Sequence, residues 1–284
     1  MKLTEKIHLL RIDFEIDIAP GKKLARFVNV LFLFGEKITL VDTGVKGSEK
    51  IIFNYIEKNG RAVSEIENII LSHSHPDHIG SAAKIKEITG CKVLAHPGEK
   101  TWIENIEIQN AERPVPGFFN LVDQSVKIDR FLNNDEIIKA GENITVKIIH
   151  SPGHSKGSLN LQFIEDKILF TADSIPLKND IPNYDNYFEV LRSLQKIKEN
   201  KEYSILLTSW TPPLIQKEEI ETIFNDGEAY LQKLDCEVKR FYTSQNTDDL
   251  SNCRNTIESL GLPPFLANSL VDRTFKSHFK NGSI

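Results

Sequence analysis

Leu71-Ser72-His73-Ser74-His75-Pro76-Asp77-His78 packs four imidazole or carboxylate donors into six residues, and three of the chain's eight histidines lie in it. The apolar residues just before it (67–72) read as a strand. Pro76 favours an extended His75, so His73, His75 and Asp77 alternate and project from the same side. His78 follows where the chain turns into a helix over 79–90, with Ala82, Ile85 and Ile88 inward and Gly90 as its stop. Such donors suit zinc, iron or manganese, and a catalytic site keeps one position open for water. A solvated loop with fortuitous histidines is the plain alternative, so the partners decide.

Partners stand after other strands. Residues 144–150 lead to Ser151-Pro152-Gly153-His154-Ser155-Lys156-Gly157-Ser158, where turn residues let His154 swing toward a site. Residues 167–172 lead directly to Asp173. Strand candidates at 27–34 and 37–42 are joined by Gly35-Glu36, a hairpin-like link that ends in Asp42-Thr43-Gly44. A helix follows with Ser48 as its cap, another is expected near Phe188–Lys198, and a last strand covers 204–209. Hairpins first and strand-helix alternation later fit layered sheets covered by helices. From about residue 213 the apolar residues fall at helical spacing (Ile220, Ile223, Phe224, Leu231, Leu234, Val238). We therefore expect a core over 1–212 and a helical extension over 213–284, packed on the core or forming an oligomer contact.

Taken in order, Asp42-Thr43-Gly44, His73-x-His75-x-Asp77-His78, Gly153-His154 and Thr171-Ala172-Asp173 resemble the metallo-β-lactamase superfamily. The resemblance implies an α/β fold, an αββα sandwich with metals at one edge. It places His73, His75 and His154 around a first metal and Asp77 and His78 on a second, with Asp173 bridging both. Asp42 becomes a buried acceptor that orients ligands. One element departs from the pattern. Where family members end the final core strand with a Gly-His pair, this chain reads Ser209-Trp210, and an indole nitrogen only donates. The expectation is one firm metal site and one conditional site, with zinc the first choice and iron or manganese as alternatives. His278, in the tail, reads as a solvated surface residue rather than the missing donor.

The remaining composition narrows the function. Forty Asp+Glu against 35 Lys+Arg give a net charge of -5, with no basic footprint for nucleic acid. No segment reaches the roughly 18–20 apolar residues of a membrane span. The N-terminus lacks the apolar run of a secretory signal, so a cytoplasmic protein is expected. Cys91, Cys236 and Cys253 lack pairing or metal spacing and read as buried thiols.

The expected partner is a small molecule. Three imidazoles lower the pKa of a metal-bound water to about 7, and Asp77 would steer that water as the catalytic carboxylate. The first function is hydrolysis of a small ester, thioester or lactone, in the manner of the glyoxalase II-like branch. An iron oxidoreductase resembling persulfide dioxygenases is the second, and a non-catalytic binding descendant the third. The turn-rich stretch 110–119 is placed near the mouth. Arg113 and Lys156 are either ordinary surface charges or holders of an anionic substrate group. Tyr184 and Tyr187 are read as packing or as a pocket hydroxyl, His96 and His150 as structural hydrogen-bonding residues, and His8 receives no role.

Overall fold

A computed structural model describes residues 1–19, 22–242 and 250–279. Two sheets form its centre. The first runs β1 (Ile7–Ala19), β2 (Lys22–Phe34), β3 (Ile38–Val41), β4 (Ile66–Ile70), β5 (Lys92–Ala95) and β6 (Arg130–Phe131), in that spatial order. Helix α1 (Glu49–Lys58) lies between β3 and β4. The short α2 (Pro76–Ile79) and α3 (Ala82–Thr89) follow β4, and α4 (Lys100–Glu104), α5 (Ile106–Glu112) and α6 (Phe118–Leu121) follow β5. The second sheet is ordered β11 (Ile205–Leu207), β10 (Ile168–Phe170), β9 (Leu159–Phe163), β8 (Ile144–His150) and β7 (Ile137–Gly141). Helix α7 (Tyr187–Glu199) precedes β11. Helices α8 (Lys217–Phe241), α9 (Ser251–Ser259) and α10 (Ser269–Lys276) complete the chain.

The alternation of side chains along the strands explains the layers. On β2, Leu31 and Leu33 point between the sheets, where they meet Val146, Ile148, Leu161, Phe163 and Phe170 from the second sheet. Val28, Val30 and Phe32 point the other way, against Ile52 and Ile56 of α1 and Ile85 of α3. On β10 the same logic sends Ile168 and Phe170 inward and Leu169 outward to Leu194 of α7 and Leu231 and Leu234 of α8. Helices thus cover both outer faces, which is the expected αββα arrangement. The apolar stripe of α8 is spent on this cluster, where Phe224, Tyr230, Leu231, Leu234 and Val238 are buried. Residues 243–249 and 280–284, part of the expected 213–284 extension, lie outside the described residues. Among the described residues, no helix is long and apolar enough to cross a membrane.

Strand β1 is an addition to the sequence reading. Its exposed Arg11, Asp13, Glu15 and Asp17 alternate with the more covered Leu10, Ile12, Phe14 and Ile16, giving one wet and one dry face.

Candidate metal centre

Three loops deliver the donors. Strand β4 ends at Ile70, and an extended segment through His75 meets α2 at Pro76, a residue suited to the first helical turn. His73 and His75 thus lie on extended chain, while Asp77 and His78 lie on the turn of helix. His154 follows β8, and Asp173 follows β10. Gly153 is required beside His154: its φ is 127°, and a Cβ there would meet the Val190 nitrogen at 2.2 Å. Asp42 and Ala172 also hold left-handed φ angles of 61° and 46°, placing local strain on two sides of the site.

The donors converge in two groups that share Asp173. His73, His75, His154 and Asp173 form one, and Asp77, His78 and Asp173 the other; in each, one donor atom per residue lies within 4.8 Å of the rest. All four imidazoles are buried. The Nε2 atoms of His73, His75 and His78, with Asp77 Oδ2 and Asp173 Oδ1, are buried without a hydrogen-bond partner. Buried polar atoms are normally satisfied, so a knot of convergent unsatisfied acceptors fits a cation. His75 Nδ1 and His154 Nε2 stand 2.8 Å apart, a pair of nitrogens that needs a proton or a cation between them.

Asp42 orients the ligands. Its carboxylate accepts from the Ser72 backbone N–H and from Ser72 Oγ, both at 2.7 Å, and from His78 Nδ1 at 2.8 Å. A carboxylate only accepts, so His78 Nδ1 carries a proton and Nε2 turns to the donor cluster. Ser72 Oγ, spent as a donor on Asp42, in turn accepts from His73 Nδ1 at 3.0 Å and leaves His73 Nε2 bare.

Electrostatics favour added positive charge. Burial, reinforced by His78 for His73 and by Arg113 for His75, holds both imidazoles well below their ordinary range. They are neutral and ready to ligate. Burial pushes His78 down too, but Asp173, Asp77 and Asp42 outweigh it and hold it well above. Burial pushes Asp173 up, yet the nearby His78, at 3.4 Å, and His154 and His73 hold it well below. Without a metal ion, a proton on His78 balances these carboxylates.

Glu99 ties the loops together, and nothing in the sequence singled it out. Its buried carboxylate accepts from the Ser74 N–H at 3.0 Å, the Ser74 and Ser155 hydroxyls and the Gly157 N–H. One residue thus braces the histidine loop against the His154 loop. Glu99→Gln would turn an amide N–H toward these donors and is expected to cost about 2–3 kcal/mol, near the value of a charged hydrogen bond. Urea denaturation measures it; a loss under about 0.5 kcal/mol would contradict the bracing role.

The other candidates separate. Trp210 stands past β11, where Asn29 Nδ2 holds the Thr208 and Thr211 carbonyls at 2.9 Å. Its ring centroid lies 6.4 Å from that of Phe14, with the Arg26 guanidinium 5.3 Å from the indole. It supplies cavity wall, and among the described residues the second group gains no further donor. His278 corrects an expectation: it is buried, not solvated. The tail folds back on α8, so His278 Nδ1 meets Asp235 at 3.0 Å, Nε2 meets the Tyr184 hydroxyl at 2.7 Å, and Tyr187 stacks on the ring at 4.1 Å. Both nitrogens are engaged, and His278 belongs to neither donor group. Arg113 is likewise buried, whereas Lys156 is exposed. His96 and His150 stack at 4.0 Å, His96 Nδ1 accepts from the Gly98 N–H and His150 Nε2 bonds the Lys156 carbonyl. His8 is buried, its Nδ1 3.1 Å from the Tyr55 hydroxyl. Cys91 and Cys253 are buried, whereas Cys236 is exposed.

Above the donors opens a cavity of about 170 Å³. His75, Asp77, His154 and Asp173 border it, with Arg113, Tyr184 and Trp210 in its walls and Leu266 and Val271 of the tail on one side.

A two-sheet sandwich with imidazoles and carboxylates gathered where strands of both sheets end defines a metal-site protein of the αββα class. Residues 24–208 match the metallo-beta-lactamase superfamily, and the chain belongs to it. It is 30% identical over 150 residues to an uncharacterized protein of Mycobacterium bovis, covering 50% of this chain and 63% of that protein. It is 32% identical over 119 residues to a hydroxyacylglutathione hydrolase of Hyphomonas neptunium, covering 42% of this chain and 36% of that enzyme. The chain thus spans less than two thirds of the length of these curated relatives. Among solved structures, a metallo-beta-lactamase family protein from Thermus thermophilus superposes with a TM-score of 0.73 at 17% identity, over 96% of this chain and 93% of that one. The subclass B3 metallo-beta-lactamase of Bradyrhizobium japonicum gives 0.60 at 21% identity, over 75% and 88%. These two likenesses bear on the fold.

Proposed function

We propose that the chain is a metal-dependent hydrolase of a small ester, thioester or lactone. The observation that carries this is the set of buried, unpartnered donor atoms bordering a largely apolar cavity. The resemblance of part of the chain to hydroxyacylglutathione hydrolases supports a thioester or related acyl bond.

His73, His75, His154 and Asp173 would hold the firm cation, zinc by preference for this nitrogen-rich set. Asp77, His78 and Asp173 would hold the conditional one. A bound divalent cation supplies Lewis acidity that brings a water's pKa toward 7 and polarises a carbonyl oxygen. Asp77 Oδ2, buried and otherwise unpartnered, positions the attacking water and takes its proton. Asp42, through Ser72 and His78, keeps the imidazoles in the ligating tautomer. The apolar walls exclude bulk water and seat the organic part of the substrate.

Zinc-loaded protein is expected to hydrolyse members of a panel of acyl thioesters, aryl esters and lactones, and His75→Ala to lose that activity. Turnover that stops when oxygen is removed would instead favour the iron oxidoreductase reading. Trp210→His tests the ligand count: it is expected to raise tightly held metal from one ion per chain toward two. An unchanged count would show that Trp210 is not what limits the second site.

A further inference from the structure

The cavity is largely apolar and two guanidiniums line it: Arg26, which is paired with Asp180, and Arg113. Phe14, Val115, Ile175, Leu266 and Val271 supply much of its wall, and Arg113 lies among them at 2% exposure. The Arg113 Nη2 donates to Asn183 Oδ1 at 2.5 Å, while Nε is buried with no partner. Among the described residues, no carboxylate reaches ion-pair distance of it. Asp185, the strongest acidic influence on it, pairs instead with Arg273 at 3.2 Å, and Asp77 and Asp173 both face His78. Burial pushes the Arg113 pKa down to about 10, so it remains charged at neutral pH. It lines the same cavity as His75, Asp77, His154 and Asp173, which places it beside the donor cluster.

A desolvated guanidinium without a partner carboxylate is costly, and its planar fork matches a carboxylate better than any other common group. We propose that Arg113 recognises a negative charge on the substrate, and that the substrate joins an apolar chain to a carboxylate set close to the scissile carbonyl. This rests on the hydrolase reading. The apolar wall takes the chain, and Arg113 fixes the register that presents the carbonyl to the cluster.

The test compares two thioesters of one chain length, a neutral decanoyl compound and the same compound with a carboxylate on carbon 3. The zinc-loaded wild type is expected to favour the carboxylated thioester at least tenfold in kcat/KM. Arg113→Met is expected to bring the ratio toward one, chiefly through KM, and Arg113→Lys to keep part of it because charge survives without the fork. A wild-type ratio below two, or a full ratio in Arg113→Met, overturns the proposal while leaving hydrolysis in place. If neither thioester is hydrolysed, the hydrolase reading fails. Calorimetry with a non-hydrolysable thioether analogue of the carboxylated compound then still decides the role of Arg113. Binding at least tenfold weaker to Arg113→Met supports it, and equal binding overturns it.

Discussion

Asp77→Asn is expected to lower kcat by about 10²- to 10⁴-fold, the range that a positioned general base contributes. Asparagine keeps the shape of the side chain but neither takes a proton nor carries charge. Asp77 suits this role by placement: it sits on the first turn of α2, borders the cavity, and keeps Oδ2 buried without a partner 3.4 Å from His78 Nε2. KM should change little, because Asp77 acts on the water and not on the organic part of the substrate. Kinetics at saturating substrate, with metal content measured on the same sample, check this. A loss below about threefold with metal retained would remove Asp77 from the chemistry.

Stripping the metal is expected to abolish hydrolysis and also to unsettle the fold. The three loops that carry His73, His75, His154 and Asp173 meet at these side chains, with the Glu99 and Asp42 hydrogen bonds and the Leu159 N–H to Ser72 carbonyl bond as the ties around them. Binding to the native state alone stabilises by mass action, about 4 kcal/mol when free zinc is 1,000 times Kd. For a chain of this size, that raises Tm by roughly ten degrees. Calorimetric scans with and without chelator measure it. His75→Ala, deprived of a donor to the firm site, should show a much smaller metal-dependent shift. Equal melting with and without chelator in the wild type would mean that the donor cluster does not hold a cation.

Much of this site was legible in the sequence because its donors are local or follow strands in a recognisable order. His73, His75, Asp77 and His78 lie on one short stretch, and His154 and Asp173 each follow an apolar run. Asp42 could be read as an orienting acceptor on the strength of the resemblance, and its contacts with Ser72 and His78 give the physical content. What was missed depends on the meeting of distant segments. Glu99 is an unremarkable acid in a turn until residues 74, 155 and 157 surround it. His278 looked like a surface residue because the burial of its segment is set by α8 and the 184–187 turn, far away in sequence. Arg113 follows the same rule: its neighbours in sequence are turn residues, and only the folded cavity makes it a buried charge. Strand β1 is a different kind of miss, since the two-residue alternation from Leu10 to Asp17 was present to be read.

The departure at Trp210 concentrates the remaining question. With an indole in the wall, the second group holds, among the described residues, Asp77, His78 and Asp173, whereas the first keeps three imidazoles and a carboxylate. Three neutral imidazoles favour a firm nitrogen-bound ion, and two carboxylates with one imidazole favour a weaker and more exchangeable one. Anomalous diffraction from crystals of the protein purified without added metal measures both identity and occupancy. The expected result is one fully occupied zinc among His73, His75 and His154, with little or no density between Asp77 and His78; two fully occupied ions, or none, would contradict it.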